Sequence, residues 1–164
     1  MKQFKVVLLT AAIFLLVVLA VVFWRSRTDT SQQFKKNYQS KREEAIVKFV
    51  YDGDTILLDN NQKVRLLGID APEKGEKCYQ EAKDKLFDLV FRKKVALVKS
   101  GDDKDKYGRL LRFVYLDGVN INLLLLRQGF VRVYYGFPRS NDFEYLLTLE
   151  RQAKRAQQGC LWSD

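Results

Sequence analysis

The stretch AIVKFVYDGDTILLDNNQKVRLLGI, at residues 45–69, decides the fold. It contains three short runs of β-branched and aromatic residues, which are typical of strands, and the turn sequences DGD and NN separate them. Two further runs of the same kind follow later in the chain. The five predicted strands span residues 45–51, 55–59, 63–69, 95–99 and 110–116.

Helical periodicity indicates about three helices in the same domain. Apolar residues recur at spacings of three and four residues over 79–91 and 140–158, and a shorter helix is predicted over 121–128. Ser140 is the first candidate cap of the last helix, which we expect to stop at Gly159. Strands first, one helix among them and helices last indicate an α+β domain, and its five-stranded, partly open barrel is predicted to be an OB-fold.

The N-terminal part of the chain contains a long apolar run. Residues 6–24 read VVLLTAAIFLLVVLAVVFW, with Thr10 as the only polar side chain, and a helix of this length roughly matches the hydrocarbon core of a bilayer. We predict one transmembrane anchor within residues 1–25. A cleaved signal peptide is the alternative, but the run is longer than a typical signal and Arg25 follows it instead of a small-residue cleavage site.

The polar segment that follows the anchor is predicted to be a flexible stalk. It spans residues 26–42, SRTDTSQQFKKNYQSKR, and lacks apolar periodicity, so the globular domain is expected to span residues 43–164. Lysine and arginine residues flank the apolar run on both sides in equal number, so the positive-inside rule does not give its orientation.

The net charge and the residue types limit the partners that the chain could bind and the side chains that could catalyse a reaction. The chain has a net charge of +9, which suits a polyanionic partner such as nucleic acid or an anionic membrane, although many domains are this basic without binding either. It has no histidine, so catalysis would have to use carboxylates, lysine, tyrosine or arginine. Cys78 and Cys160 are too few for a thiolate zinc site and form either one disulfide or two inert thiols.

Three segments place charged residues at strand ends or turns: YDGDT at 51–55, RLLGIDAPE at 65–73 and DKYGR at 105–109. Each segment alone is typical of an ordinary turn or loop. Together, in one small barrel without histidine, they supply the two aspartates, one glutamate and two arginines that metal-assisted cleavage of a phosphodiester requires.

Calcium prefers six to eight hard oxygen ligands. The carboxylates of Asp54 and Asp70, the main-chain carbonyl of Ala71, waters and a substrate phosphate oxygen could fill its coordination shell. Asp52 suits a supporting role, in which it holds a metal-bound water.

The remaining charged residues suit the reaction itself. Glu73 follows the predicted metal-binding turn and is the candidate general base. Arg65 and Arg109 carry forked guanidinium groups that can stabilise the charge on a pentacovalent phosphorus, and surface salt bridging is the alternative for both. Arg65 and Asp70 lie an odd number of residues apart, so they share one site only if the chain bends at Gly68 or the strand ends before Asp70.

The motifs DGDT, RLLGIDAPE, DKYGR, LLRQGFVRVYY and LWS, in this order from residue 45 to residue 162, resemble those of the staphylococcal thermonuclease family. The resemblance implies an OB-fold with three helices, one calcium ion, and hydrolysis of DNA and RNA at the 5′ side of the phosphodiester to leave 3′-phosphates. It also implies the following roles: calcium ligands at Asp54 and Asp70, the base at Glu73, phosphate clamps at Arg65 and Arg109, a terminal-phosphate contact at Tyr107, and the nucleotide pocket at Tyr135.

The chain departs from the family pattern at two places. Residue 71 is alanine where the founding member has threonine, which leaves the main-chain carbonyl ligand available. The loop after Glu73 is shorter and carries Cys78, at the start of the first long helix, whereas Cys160 follows the last helix. We predict a disulfide between them, which a Cα separation well beyond about 7 Å would exclude.

A disulfide would place the domain in an oxidising compartment. The expectation is therefore a monomeric, single-pass membrane protein whose nuclease domain lies on the extracytoplasmic side and whose partners are DNA, RNA and the membrane. Two alternatives stay open: a binding module that has the same barrel but no catalysis, and a surface receptor for DNA capture.

Overall fold

The computed structural model describes residues 43–138 and 140–163. The predicted anchor at residues 1–25 and the predicted stalk at 26–42 lie outside the described residues. Among the residues that are described, no helix has both the length and the apolar character needed to cross a membrane.

A β-barrel dominates the described part of the chain. Its strands are β1 (Glu43–Val50), β2 (Thr55–Leu58), β3 (Lys63–Leu66), β4 (Ile69–Asp70), β5 (Lys94–Lys104), β6 (Leu110–Leu116), β7 (Val119–Asn120) and β8 (Arg132–Val133). Six strands pair in the order β3-β2-β1-β5-β6-β7, and the parallel pairing of β3 with β6 closes β1, β2, β3, β6 and β5 into a five-stranded barrel. β4 and β8 form a separate two-stranded sheet. This architecture, with its helices, confirms the predicted α+β OB-fold.

Four helices are present among the described residues, and their bounds are α1 (Tyr79–Val90), α2 (Ile121–Arg127), α3 (Asn141–Arg155) and α4 (Gly159–Trp162). Ser140 caps α3 as predicted, because its side chain accepts a hydrogen bond from the Phe143 N–H. The predicted end of this helix at Gly159 is wrong. The helix ends at Arg155, Gln157 takes the left-handed conformation at φ 48°, and Gly159 begins α4.

Strand alternation separates the inside of the barrel from its outside. On β3, Val64 and Leu66 are fully buried in the core, so Lys63 and Arg65 face outward. The predicted strand over 63–69 is broken, because the chain turns between Leu66 and Ile69. Gly68 occupies this turn at φ 76°, a conformation that side chains with a Cβ rarely adopt. The predicted strand over 95–99 is longer than expected and reaches Lys104.

A buried asparagine connects α2 to the barrel. The Asn122 Oδ1 accepts a hydrogen bond from the Val114 N–H on β6 at 2.9 Å, and its Nδ2 donates to the carbonyl oxygens of Leu67 at 2.9 Å and Arg112 at 3.3 Å. Asn122 has no exposed surface. One side chain therefore satisfies backbone groups of β6 and of the turn after β3, which keeps that turn against the helix.

A disulfide joins Cys78, just before α1, to Cys160 in α4. Their Cα atoms are 5.3 Å apart, within the usual range for a disulfide, and the two residues are 82 positions apart in sequence. The predicted pairing is confirmed.

Replacing Asn122 with Ala should lower the free energy of unfolding by about 2–4 kcal/mol, because buried backbone groups on β6 and at Leu67 lose their partner. Urea unfolding measures the change, with the exposed amide variant Gln152→Ala on α3 as control. A loss no larger than that of the control would contradict the assigned role.

Removing the disulfide should also destabilise the domain. The double variant Cys78→Ser/Cys160→Ser is expected to lose about 2–5 kcal/mol, because the unfolded chain gains the entropy that the long closed loop had removed. Urea unfolding with and without dithiothreitol is the measurement. Reductant should shift the midpoint of the native chain and leave that of the double variant unchanged; no shift in the native chain would refute the prediction.

Candidate active site

A cleft of about 540 Å³ lies on the outer face of β3 and β6. Arg65 and Leu111, which pair across these strands, contribute to its lining. The end of β5 with the start of the turn after it, at residues 100–106, and the segment at 134–138 also line it. The charged residues proposed from the sequence that line this one cleft are Asp52, Asp54, Arg65, Asp70, Glu73 and Arg109.

Arg65 is the central cation of the cleft, and each of its guanidinium nitrogens is engaged. Its Nε lies 3.2 Å from Asp54 Oδ1, and its Nη2 donates to Asp70 Oδ1 at 2.8 Å. Its Nη1 donates to the carbonyl oxygens of Leu66 at 3.0 Å and Ile69 at 2.6 Å. The side chain is only 12% exposed. Strand β3 ends at Leu66 and the chain turns at Gly68, so both alternatives from the sequence hold and Asp70 lies beside Arg65.

The turn between β1 and β2 carries Asp54, whose carboxylate is buried and fully bonded. Its Oδ1 accepts from the Thr55 hydroxyl at 2.9 Å, and its Oδ2 accepts from the Ala71 N–H at 2.6 Å. Burial raises the pKa of Asp54 to about 7, Arg65 opposes this rise, and the Asp52 carboxylate adds to it. The carboxylate is thus held in position by its neighbour Thr55 and by Ala71 just after β4.

Asp52 and Gly53 shape this turn. The Asp52 Oδ1 accepts a hydrogen bond from the Asp54 N–H at 3.0 Å, which is the local bond typical of aspartate in turns. A Cβ on Gly53 would lie 2.8 Å from the Cβ of Ala82 on α1 and 2.9 Å from the Cβ of Ala71. Only glycine allows the turn to approach both neighbours this closely, so Gly53 sets the position of Asp54.

Arg109 is oriented by Asp105, a residue to which sequence reasoning assigned no role. The Asp105 carboxylate accepts from the Arg109 Nε at 2.7 Å, from the Arg109 N–H at 3.0 Å and from the Tyr107 N–H at 2.9 Å. Burial alone would raise the pKa of Asp105, but these hydrogen bonds outweigh it and hold the pKa below its usual value. The Asx-turn spacing in DKYGR was the available signal. The Arg109 Nη1 lies 3.5 Å from the Thr55 hydroxyl.

The segment at residues 100–106, which comprises the end of β5 and the start of the turn after it, is anchored by the buried side chain of Arg112. Its Nη2 pairs with Asp103 Oδ1 at 2.8 Å, and its Nη1 donates to the Asp103 carbonyl at 3.2 Å. The hydrogen bond from Arg112 lowers the pKa of the Asp103 carboxyl. This segment adds Lys104 and Lys106 to the cleft lining, two cations to which the sequence analysis assigned no role.

Glu73 lies in an exposed loop at the edge of the cleft. Its main-chain N–H donates to Glu76 Oε2 at 2.9 Å, and its carbonyl accepts from the Glu76 N–H at 2.9 Å. In the part of the chain that is described, the Glu73 carboxylate itself makes no hydrogen bond or ion pair. It is free to act on a water or a substrate.

The two tyrosines proposed to bind substrate are highly exposed and lie outside the cleft lining. Tyr107 is 71% exposed, with its ring centre 5.4 Å from the Arg109 guanidinium, and Tyr135 is 64% exposed. Tyr134 and Phe137 line the cleft instead, and the Tyr134 ring centre lies 5.8 Å from the Arg65 guanidinium. The aromatic wall of the cleft therefore comes from neighbours of the residue that the motif indicated.

The oxygen donors of the cleft suit a hard cation. Asp54, Asp70 and the Ala71 carbonyl provide two carboxylates and a main-chain oxygen. Arg65 is in contact with both carboxylates. Within residues 43–138 and 140–163, no three or more His, Cys, Asp or Glu side chains form a metal-binding group. Such a donor set fits an ion that completes its shell with water and substrate oxygens.

Comparison with known proteins gives consistent results. The family model described as staphylococcal nuclease homologue matches residues 63–164. The chain is 42% identical over 120 residues to an uncharacterized endonuclease of Haemophilus influenzae, covering 70% of this chain and 64% of that protein. It is 35% identical over 127 residues to a micrococcal nuclease of Shigella flexneri, covering 70% of this chain and 71% of that protein.

A thermonuclease of Staphylococcus intermedius is 31% identical over 159 residues, covering 91% of this chain and 93% of that protein. The chain spans less than two thirds of the length of the Haemophilus relative and 58% of an endonuclease of Bacillus subtilis. The family model covers more than half of the chain and includes Arg65, Asp70, Glu73 and Arg109. The chain therefore belongs to the staphylococcal nuclease family.

Proposed function

We propose that this protein is a calcium-dependent nuclease that hydrolyses DNA and RNA at the 5′ side of the phosphodiester and leaves 3′-phosphates. The observation that carries the proposal is the convergence of Asp54 and Asp70 on Arg65 in a cleft that Glu73 and Arg109 also line. Relatives named micrococcal nuclease and thermonuclease support the reaction class.

Asp54, Asp70 and the Ala71 carbonyl are the residues that would hold the calcium ion, with Asp52 beside them. When bound, the ion supplies positive charge that polarises the phosphate and helps to neutralise the charge that develops on it. Because Asp54 is held by Thr55 and Ala71, the donor set is organised before substrate arrives.

The reaction follows from the chain's own side chains. The unpartnered Glu73 carboxylate takes a proton from a water as that water attacks phosphorus. The bond from phosphorus to the 5′ oxygen breaks, the departing oxygen takes a proton from solvent and Glu73 returns its proton to solvent, so the products are a 3′-phosphate and a 5′-hydroxyl. Arg109, fixed through its Nε by Asp105, directs its remaining N–H groups to the phosphate oxygens, where negative charge accumulates.

Arg65 has a second task besides phosphate binding. Its bonds to the Leu66 and Ile69 carbonyls and to both aspartates keep the metal-binding turns together before substrate enters. Contact with a phosphate oxygen therefore requires Arg65 to share or exchange one of these bonds. The exposed Asp70 carboxylate is the partner that it can release at least cost.

We also propose that residues 6–24 anchor the protein in a membrane with the nuclease domain on the extracytoplasmic side. The apolar sequence of this segment supports the anchor, and the Cys78–Cys160 disulfide supports the oxidising side.

The full chain, purified in non-ionic detergent, should degrade single-stranded DNA with calcium, leave 3′-phosphate ends and stop when a chelator is added. Replacing Glu73 with Gln should slow cleavage by about 10²–10⁴-fold, because the water loses its proton acceptor. Oligonucleotide affinity in chelator should not change. Glu81→Gln, an exposed glutamate on α1, is the matched control. Full activity of Glu73→Gln would refute the assigned base, and binding without any cleavage by the native chain would indicate a binding module.

Replacing Arg109 with Lys should reduce kcat by about 10²–10³-fold, because lysine keeps the charge and loses the fork that donates to phosphate oxygens. Steady-state cleavage of a fluorogenic DNA substrate measures this effect. Arg155→Lys, at the exposed end of α3, should behave like the native chain. A change of less than about three-fold for Arg109→Lys would show that Arg109 does not contact the transition state.

A further inference from the structure

The outer face of the barrel that forms the cleft floor continues beyond the cleft. Strand pairing places Thr55 opposite Arg65 and Leu57 opposite Lys63, and Leu57 also lies opposite Phe49 on β1. Since Ile56 and Val64 are fully buried in the core, their neighbours on both strands face outward. One continuous outer surface therefore runs from Arg65 in the cleft, across Lys63 and Leu57, to Phe49.

Two aromatic side chains lie on this surface. Phe49 is 47% exposed, and its ring meets the ring of Tyr51 edge to face with centres 5.0 Å apart. The Tyr51 N–H donates to the Thr55 carbonyl, so Tyr51 lies beside the row that contains Arg65. We call the surface formed by Lys48, Phe49, Tyr51, Leu57 and Lys63 the outer strip. An exposed phenylalanine beside a tyrosine offers ring faces and edges for contact with flat, apolar groups.

The outer strip also carries positive charge that the protein does not neutralise. The Lys63 Nζ lies 4.8 Å from the Tyr51 ring centre, and the Lys48 Nζ donates to the neutral Asn61 Oδ1 at 3.2 Å. Neither lysine has a carboxylate partner within ion-pair distance in the described part of the chain. Aromatic rings beside unpaired cations are the combination that binds a single strand without reading its sequence.

We propose that the outer strip binds the part of a single-stranded nucleic acid that extends out of the cleft, with bases stacked on Phe49 and Tyr51 and phosphates paired with Lys48 and Lys63. The inference deepens the proposed nuclease function, because the strand is the same substrate. A membrane surface is the competing occupant of an apolar and basic face. Continuity with the charged cleft floor favours nucleic acid, since a strand held at Arg65 and Arg109 passes directly onto the strip.

The test measures binding without cleavage, using the full chain in detergent and in chelator. Fluorescein-labelled dT12, long enough to reach the strip, and dT3, confined to the cleft, are titrated by anisotropy. Phe49→Ala should weaken dT12 binding about five-fold or more and leave dT3 unchanged, because a lost base stack affects only the longer strand. Phe87→Ala, an exposed phenylalanine on α1 away from the strip, is the matched control and should change neither affinity.

The charge of the strip is tested separately. For dT12, log affinity falls as log salt rises. The double variant Lys48→Gln/Lys63→Gln should make this fall less steep by about 1.4, as expected when two contacts with single-strand phosphates are lost. Thermal unfolding of each variant should match that of the native chain, because these side chains lie outside the core.

Equal dT12 affinity of Phe49→Ala and the native chain would overturn the proposal, as would an equal loss for dT3 or in Phe87→Ala. If Phe49→Ala weakens binding to anionic phospholipid vesicles and leaves dT12 binding intact, the strip contacts lipid and the proposal also fails. A native chain that does not cleave DNA in calcium, but binds dT12 through Phe49, would refute the nuclease function and leave the strip as a binding surface. Calcium-dependent cleavage by the native chain, together with dT12 binding that does not depend on Phe49, would refute the strip alone.

Discussion

The guanidinium group of Arg65 is the interaction on which the rest of the site depends. It joins Asp54 from one turn, Asp70 from another, and the two carbonyls that flank the bend at Gly68. Loss of the cation would leave a buried carboxylate and two carbonyls without their partner, and breaking a buried pair in this way typically costs about 3–5 kcal/mol. The arginine is therefore part of the local fold as well as of the proposed site.

This arrangement is possible because the barrel closes through β3 and β6. The parallel pairing fixes which residues of β3 face the core, and so it directs Arg65 to the outer surface beside Leu111. β6 begins at Leu110, directly after the turn that holds Arg109. Two acidic residues then act mainly on the backbone and on arginine: Asp52 shapes the turn before β2, and Asp105 fixes the Arg109 fork. This face of the barrel therefore has bonded side chains at Asp54, Arg65 and Arg109 and an exposed carboxylate at Glu73.

Local patterns in the sequence predicted most of the strands and helices and most of the residues that line the cleft. The DGD turn, the alternation around Val64 and the helical spacing after Tyr79 depend on near neighbours, so short windows contain the information. Arg65 and Asp70 are an odd number of residues apart, so a regular strand would place them on opposite faces. The sequence therefore indicated a bend or a strand end between them, and the turn contains Gly68. Pairings between distant segments were less accessible. β4 and β8 contain two residues each, too few to show any period, and their existence depends on tertiary pairing.

Other differences have equally specific causes. Gly159 looked like the end of α3, but its lack of a Cβ serves a close approach to the Gln128 carbonyl, and Gln157 takes the left-handed position instead. Tyr134 lines the cleft and its neighbour Tyr135 does not, which depends on how the segment after β8 packs and is not recorded by any pattern in the sequence. The sequence likewise could not predict that Arg65 bonds through all of its guanidinium nitrogens, because two of its acceptors are main-chain carbonyls that every residue possesses.

The disulfide divides the polypeptide into a covalent ring and an open arm. The ring runs from Cys78 to Cys160 and contains Arg109, whereas Asp54, Asp70 and Glu73 all lie on the arm that precedes it. A protease cut within the ring leaves both fragments joined through sulfur, but a cut just before Cys78 leaves Asp54, Asp70 and Glu73 on a fragment held by non-covalent contacts alone. Pulling force applied at Glu43 likewise acts on this arm, which the disulfide does not brace, whereas the ring keeps its covalent closure.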